Sequence, residues 1–136
     1  MYKVIVLLSL VALSCALLGG YETVDPNDEE VVKAANEAAK VLSKQFSGKF
    51  HHKLAKVLKA KRQIVAGTNF QMDIIVGQTF CTKDEYVYEN IVGCDFQTHQ
   101  STFKKCIVTV FRDLKGNHKL VSNGCILATK NEVFGI

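Results

Sequence analysis

The sequence predicts an α+β domain in which an antiparallel β-sheet wraps around one long N-terminal α-helix. Three observations carry this. A single apolar stripe of helical period runs between positions 31 and 46, an alternating apolar–polar pattern starts after Gly48, and glycine-bearing polar breaks fold the remainder into hairpins. The 136 residues make about one domain. With 48% hydrophobic and 22% charged residues and a single proline, the composition is that of a folding globular chain and excludes proline-rich disorder or a collagen-like rod.

Lys3, the apolar run Val4 to Leu13, and small residues Ser14 and Ala16 at the −3 and −1 positions of a cut after Ala16 read as a signal peptide over 1–16, leaving one domain over 17–136. Even through Leu18 the apolar stretch is shorter than the ~20 residues that cross a bilayer, so no membrane span is expected. Next, Asp25-Pro26 opens the helix, with Asp25 as N-cap, Pro26 at the first helical position and Asp28, Glu29 and Glu30 at the positive end of its dipole. Val31, Ala35, Ala38, Leu42 and Phe46 form its apolar stripe, and Ser47-Gly48 ends it.

Beyond Gly48 the period is that of strands. Phe70, Met72, Ile74 and Val76 alternate with Asn69, Gln71 and Asp73, one face buried and one wet. The run from about Leu54 to Val65 should pair with it in a hairpin turning near Ala66-Gly67. A second hairpin joins Lys105–Arg112 to Leu120–Ala128 through Asp113-Leu114-Lys115-Gly116-Asn117. In the basic run Lys53 to Arg62, strand parity sends Lys53, Lys59 and Lys61 one way and Lys56 and Arg62 the other, so the charge is expected to divide between faces. The net charge of +4 is too small to require a nucleic-acid partner, and none is expected.

Cleavage after Ala16 removes Cys15 and leaves Cys81, Cys94, Cys106 and Cys125, an even set in an exported chain, hence two disulfides. Of the three connectivities, the sequential one closes the shortest loops; the other two stay open. No CxxC occurs, and His51, His52, His99 and His118 lack zinc-ligand spacing to the cysteines, so no metal or cofactor is expected. Nor is an enzyme expected: no carboxylate pair stands in a defined site context, no nucleophile elbow is present, and the cysteines are best assigned to bridges.

Gln63-Ile64-Val65-Ala66-Gly67 matches QxVxG, the motif of the cystatins, protein inhibitors of papain-like cysteine proteases. With the glycine pair Gly19-Gly20 near the mature start, one helix, the motif at a hairpin tip and four late cysteines, nearly the whole mature chain resembles a secreted, disulfide-bonded cystatin. The resemblance implies bridges Cys81–Cys94 and Cys106–Cys125 and a three-part protease-binding wedge. Its N-terminal trunk would be Leu17-Leu18-Gly19-Gly20 and its central loop Gln63 to Gly67. The third piece departs from the pattern: where many secreted cystatins carry Pro-Trp, this tip reads Asp113-Leu114, and the protein has no tryptophan. Tips of the form Val-Phe-x-x-Leu-x-Gly, as in Val110 to Gly116, resemble tick-type cystatins and imply selectivity among cathepsins of L, S, C or H type. Phe46-Ser47-Gly48-Lys49 lacks the asparagine with which some cystatins inhibit legumain, so no legumain inhibition is expected. A monomer is expected, with a domain-swapped dimer hinged at Val65-Ala66-Gly67 as the family's alternative. The competing reading is a non-inhibitory module of the same fold, a precursor pro-region or a basic host-defence protein binding anionic surfaces.

Overall fold

Asp28, not Asp25, opens the helix. In the computed structural model, which describes residues 20–135, Asp25 instead closes a turn: its carboxylate accepts from the Asn27 N–H at 2.9 Å and its carbonyl from the Asp28 N–H at 3.0 Å. Both aspartates can cap, and the Asx-turn around Pro26 takes the first, displacing the helix start by three residues. Helix α1 (Glu29–Gln45) then begins with the Asp28 carboxylate accepting from the Glu30 N–H, and Glu29 and Glu30 in its first turn. The expected signal peptide and Leu17 to Gly19 lie outside the described residues.

The predicted stripe is the buried one. Val31, Ala34, Ala35, Ala38, Ala39 and Leu42 are at most 1% exposed, and the four alanines let α1 lie close on the sheet. Phe46 falls just past the helix, as its C-cap, and still packs against the core. The sheet is a five-stranded antiparallel meander, β1 (Glu22–Val24), β2 (Phe50–Val65), β3 (Gly67–Thr82), β4 (Phe103–Arg112) and β5 (His118–Leu127), hydrogen-bonded in that order. From β3 come Phe70, Met72, Ile74 and Val76, and from β4 Cys106, Val108 and Val110, all on the helix side. Two bridges, Cys81–Cys94 and Cys106–Cys125, close loops of the kind formed in oxidising compartments. No helix of the described residues is long and apolar enough to cross a membrane.

Besides the helix start, three features differ from the sequence reading. Strand β1 was not expected, because three residues are too few to show an alternation. A short helix α2 (Lys130–Phe134) follows the sheet, started by a capping box between Thr129 and Glu132. Third, β2 is bulged. Its pairing with β3 steps from Leu54↔Val76 to Lys56↔Ile75 and from Val57↔Ile74 to Lys59↔Asp73, leaving Ala55 and Leu58 as extra residues. Each bulge resets the parity, so Lys56 does not oppose its neighbours. Lys53, Lys56, Lys59 and Lys61 pair with Gly77, Ile75, Asp73 and Gln71, all on the face away from α1. Arg62, opposite Phe70, lies on the other face from Lys53, Lys59 and Lys61, as expected, and that face is the helix side. Part of the outer face is covered: Ile75, Phe103 and Ala128 form a second apolar cluster beneath Leu58, Phe96 and Val133.

Candidate functional site

The first hairpin turns through Ala66 alone, since Val65 and Gly67 are paired across it. Such a turn needs unusual backbone, and Gly67 supplies it with φ +118°. The glycine is required for a second reason. A Cβ at position 67 would stand 2.6 Å from the Arg112 carbonyl oxygen and 2.6 Å from Cζ of the Phe111 ring. Gly67 is thus buried against the second hairpin, while Ile64, Val65 and Ala66 remain exposed at the tip. At the base of the turn the Asn69 side-chain amide donates to Gln63 Oε1 at 3.2 Å.

The second tip is organised by Asp113. Its Oδ1 accepts from the N–H groups of Lys115 and Asn117, both at 2.9 Å, and its Oδ2 from the Asn117 side-chain amide at 3.3 Å. These donors, the Asn117 N–H foremost, hold its carboxyl below the usual carboxylate range. With Gly116 at φ +92°, the turn closes and Leu114 is left 84% exposed at its apex.

Arg112 joins the pieces. Its guanidinium donates to Thr68 Oγ1 at 3.3 Å, pairs with Glu30 of α1 at 3.1 Å and lies over the Phe70 ring. Thr68 and Arg112 are also cross-strand partners, so the two tips sit side by side. A cleft of about 620 Å³ opens between them and the helix start, lined among others by Ile64, Val65, Leu114 and Glu29. His118, opposite Arg112, has a buried Nε2 with no partner among the described residues; burial lowers its pKa, so it stays neutral near pH 7.

The N-terminal segment reaches the same edge. Glu22 pairs with Arg62, and the Arg62 guanidinium donates to the Glu22 carboxylate at 2.7 and 3.2 Å. Continuing that register two residues towards the N-terminus brings exposed Gly20 level with Ile64. Of the trunk, Leu17, Leu18 and Gly19 lie outside the described residues. The sequence reading missed Arg112, Phe111 and the Glu22–Arg62 pair as supports, since each acts through a cross-strand partner that no local pattern reveals. Among the described residues no group of three or more His, Cys, Asp or Glu could hold a metal ion.

The chain is similar to known proteins over most of its length. The cystatin-domain family model matches residues 19–115. Cystatin-C of Rattus norvegicus is 30% identical over 112 residues, covering 80% of this chain and 78% of the rat protein. Cystatin-C of Oryctolagus cuniculus is 32% identical over 91 residues, 67% of this chain and 60% of the rabbit protein. In fold, the chain is similar to the salivary cystatin of the soft tick Ornithodoros moubata, with a TM-score of 0.66 and 22% identity over 79% of this chain and 97% of that one.

Proposed function

The chain belongs to the cystatin family, and we propose that it is a secreted, reversible, tight-binding inhibitor of papain-like cysteine proteases of the cathepsin L, S, C or H type. It plugs the active-site cleft with a wedge of three pieces: Leu17 to Gly20, Gln63 to Gly67, and the Asp113-Leu114 tip. The observation that carries this reading is the seating of Gly67 against Phe111 and Arg112, which sets two small, backbone-led tips side by side at one edge of the sheet.

Inhibition on this reading is occlusion. Leu17 and Leu18 fill apolar subsites on one side of the protease's catalytic cysteine, while Ile64, Val65 and Leu114 cover the other and exclude water and substrate. The wedge presents no peptide bond in line for attack by the thiolate, so the inhibitor is released intact and does not itself act as an enzyme. Affinity comes from preorganisation: Arg112 and Asp113 hold the tips in place before docking, so little side-chain and loop entropy is lost on binding. Leu114 replaces a larger aromatic anchor and tunes selectivity. The working form is a monomer, because domain exchange would open the Ala66 turn and remove the central loop.

Titration of the refolded protein against papain and a cathepsin panel, with legumain as control, tests this. Stoichiometric loss of papain activity with legumain unaffected is expected. Papain remaining fully active at micromolar inhibitor would overturn the proposal.

A further inference from the structure

The bulges of β2 build a row of positive charge. Because Ala55 and Leu58 are the extra residues, Lys53, Lys56, Lys59 and Lys61 occupy successive outer positions opposite β3 residues 77, 75, 73 and 71. Their Cα atoms are therefore about 6.6 Å apart along one line. None of the four forms an ion pair among the described residues. Lys53 and Lys56 are steadied by neutral groups: their ammoniums donate to the carbonyls of Val92 at 3.2 Å and Val133 at 3.4 Å, and Lys53 also lies over the Phe96 ring. They are held in line with their charge intact. Asp73 lies across from Lys59, Glu132 is ion-paired with Lys105 at 2.8 Å, and Glu37 and Glu89 line the cleft at the Lys53 end of the row, with Glu89 ion-paired to Lys40. Polar Gln71 and Thr23 flank Lys61 on its two neighbouring strands.

We propose that this lysine row is a binding site for a linear sulfated polysaccharide. Charge complementarity calls for an anion, and the regular one-dimensional spacing calls for a flexible chain with repeated charges. A bilayer fits less well, since α2 and the Phe96 segment cover the half of the outer face that adjoins Lys53 and Lys56. The free edge of β2 would also be protected from strand addition by lysines; that role alone predicts no affinity for a polyanion. The proposal does not depend on protease inhibition, because the row lies outside the wedge.

Heparin is the probe, immobilised at pH 7.4 and eluted with sodium chloride. The folded protein should be retained above about 0.15 M salt. Combining Lys56→Ala, Lys59→Ala and Lys61→Ala should weaken the affinity at least about tenfold, with circular dichroism and thermal melts reporting an intact fold. A triple variant of the same net charge made away from the row, Lys33→Ala, Lys44→Ala and Lys49→Ala, should change affinity less than about twofold. As a variant free of the Val133 contact, Lys59→Glu with Lys61→Glu should abolish retention. Equal losses in the two triple variants would overturn the proposal, as would flow-through of the wild type. Stronger binding to vesicles containing phosphatidylserine, or to single-stranded DNA, than to heparin would overturn it too.

Discussion

Replacing Gly67 by alanine tests the wedge at the point where its two hairpins touch. The backbone there has φ +118°, which an L-residue adopts at a cost of about 1–3 kcal/mol. The added methyl would also stand 2.6 Å from both the Arg112 carbonyl oxygen and the Phe111 ring. The ring can give way, but the carbonyl belongs to β4 and is held by the sheet, so overpacking adds about 1–3 kcal/mol. Part of this strain should appear as lost stability, about 2–4 kcal/mol, lowering Tm by about 10 °C. The rest should force the tips apart, weakening papain inhibition tenfold for each ~1.4 kcal/mol of docking energy lost. The assays are a thermal melt and a papain titration of Gly67→Ala, Phe111→Ala and the double variant. Removing the ring should recover about 1 kcal/mol of the Gly67→Ala penalty, a coupling that separates the ring contact from the backbone strain. Wild-type inhibition with a Tm within about 2 °C of normal, or strict additivity in the double variant, would refute the reasoning.

Two further outcomes are expected. His52 is buried with an Nδ1 that has no partner among the described residues, and burial, aided by the charges of Lys104 and Lys83, pushes its pKa down to about 4. The unfolded chain therefore binds the proton first: the stability is full above the unfolded value of about 6.5 and falls as pH drops to 4, by about 2–3 kcal/mol. Urea melts of His52→Gln should show a flatter profile across that window, and an unchanged slope would count against a neutral buried imidazole. Leu114→Ala should weaken papain binding by about 1–2 kcal/mol, the transfer energy of an apolar side chain, while leaving Tm unchanged because the side chain is 84% exposed. A Tm loss without an affinity loss would assign Leu114 to the fold.

Periodicity made the helix face and the first hairpin legible. Val31 to Leu42 recur with the turn of α1, and Phe70 to Val76 alternate on a stretch of β3 without a bulge of its own, so spacing and burial coincide. What failed to show was anything set by pairing. An extra residue among Lys, Ala and Leu carries no local mark, and the bulges at Ala55 and Leu58 moved Lys56 to the opposite face from the one its number implies. The helix start moved because Asp25 and Asp28 are equally good caps and only the Asn27 contact decides between them. At the edge itself, the position of Gln63 to Gly67 on a hairpin tip was readable. The need for Phe111 beside it was not, since 44 residues of chain separate the two.

Asp113 spends its carboxylate inside its own turn, on donors from Lys115 and Asn117. Residue 114 is therefore mounted like a tool bit in a chuck: the grip does not depend on what it holds. Mutation can exchange leucine there for a bulkier, smaller or charged residue with little penalty to the scaffold, so a lineage facing new target enzymes has one site at which it can experiment freely.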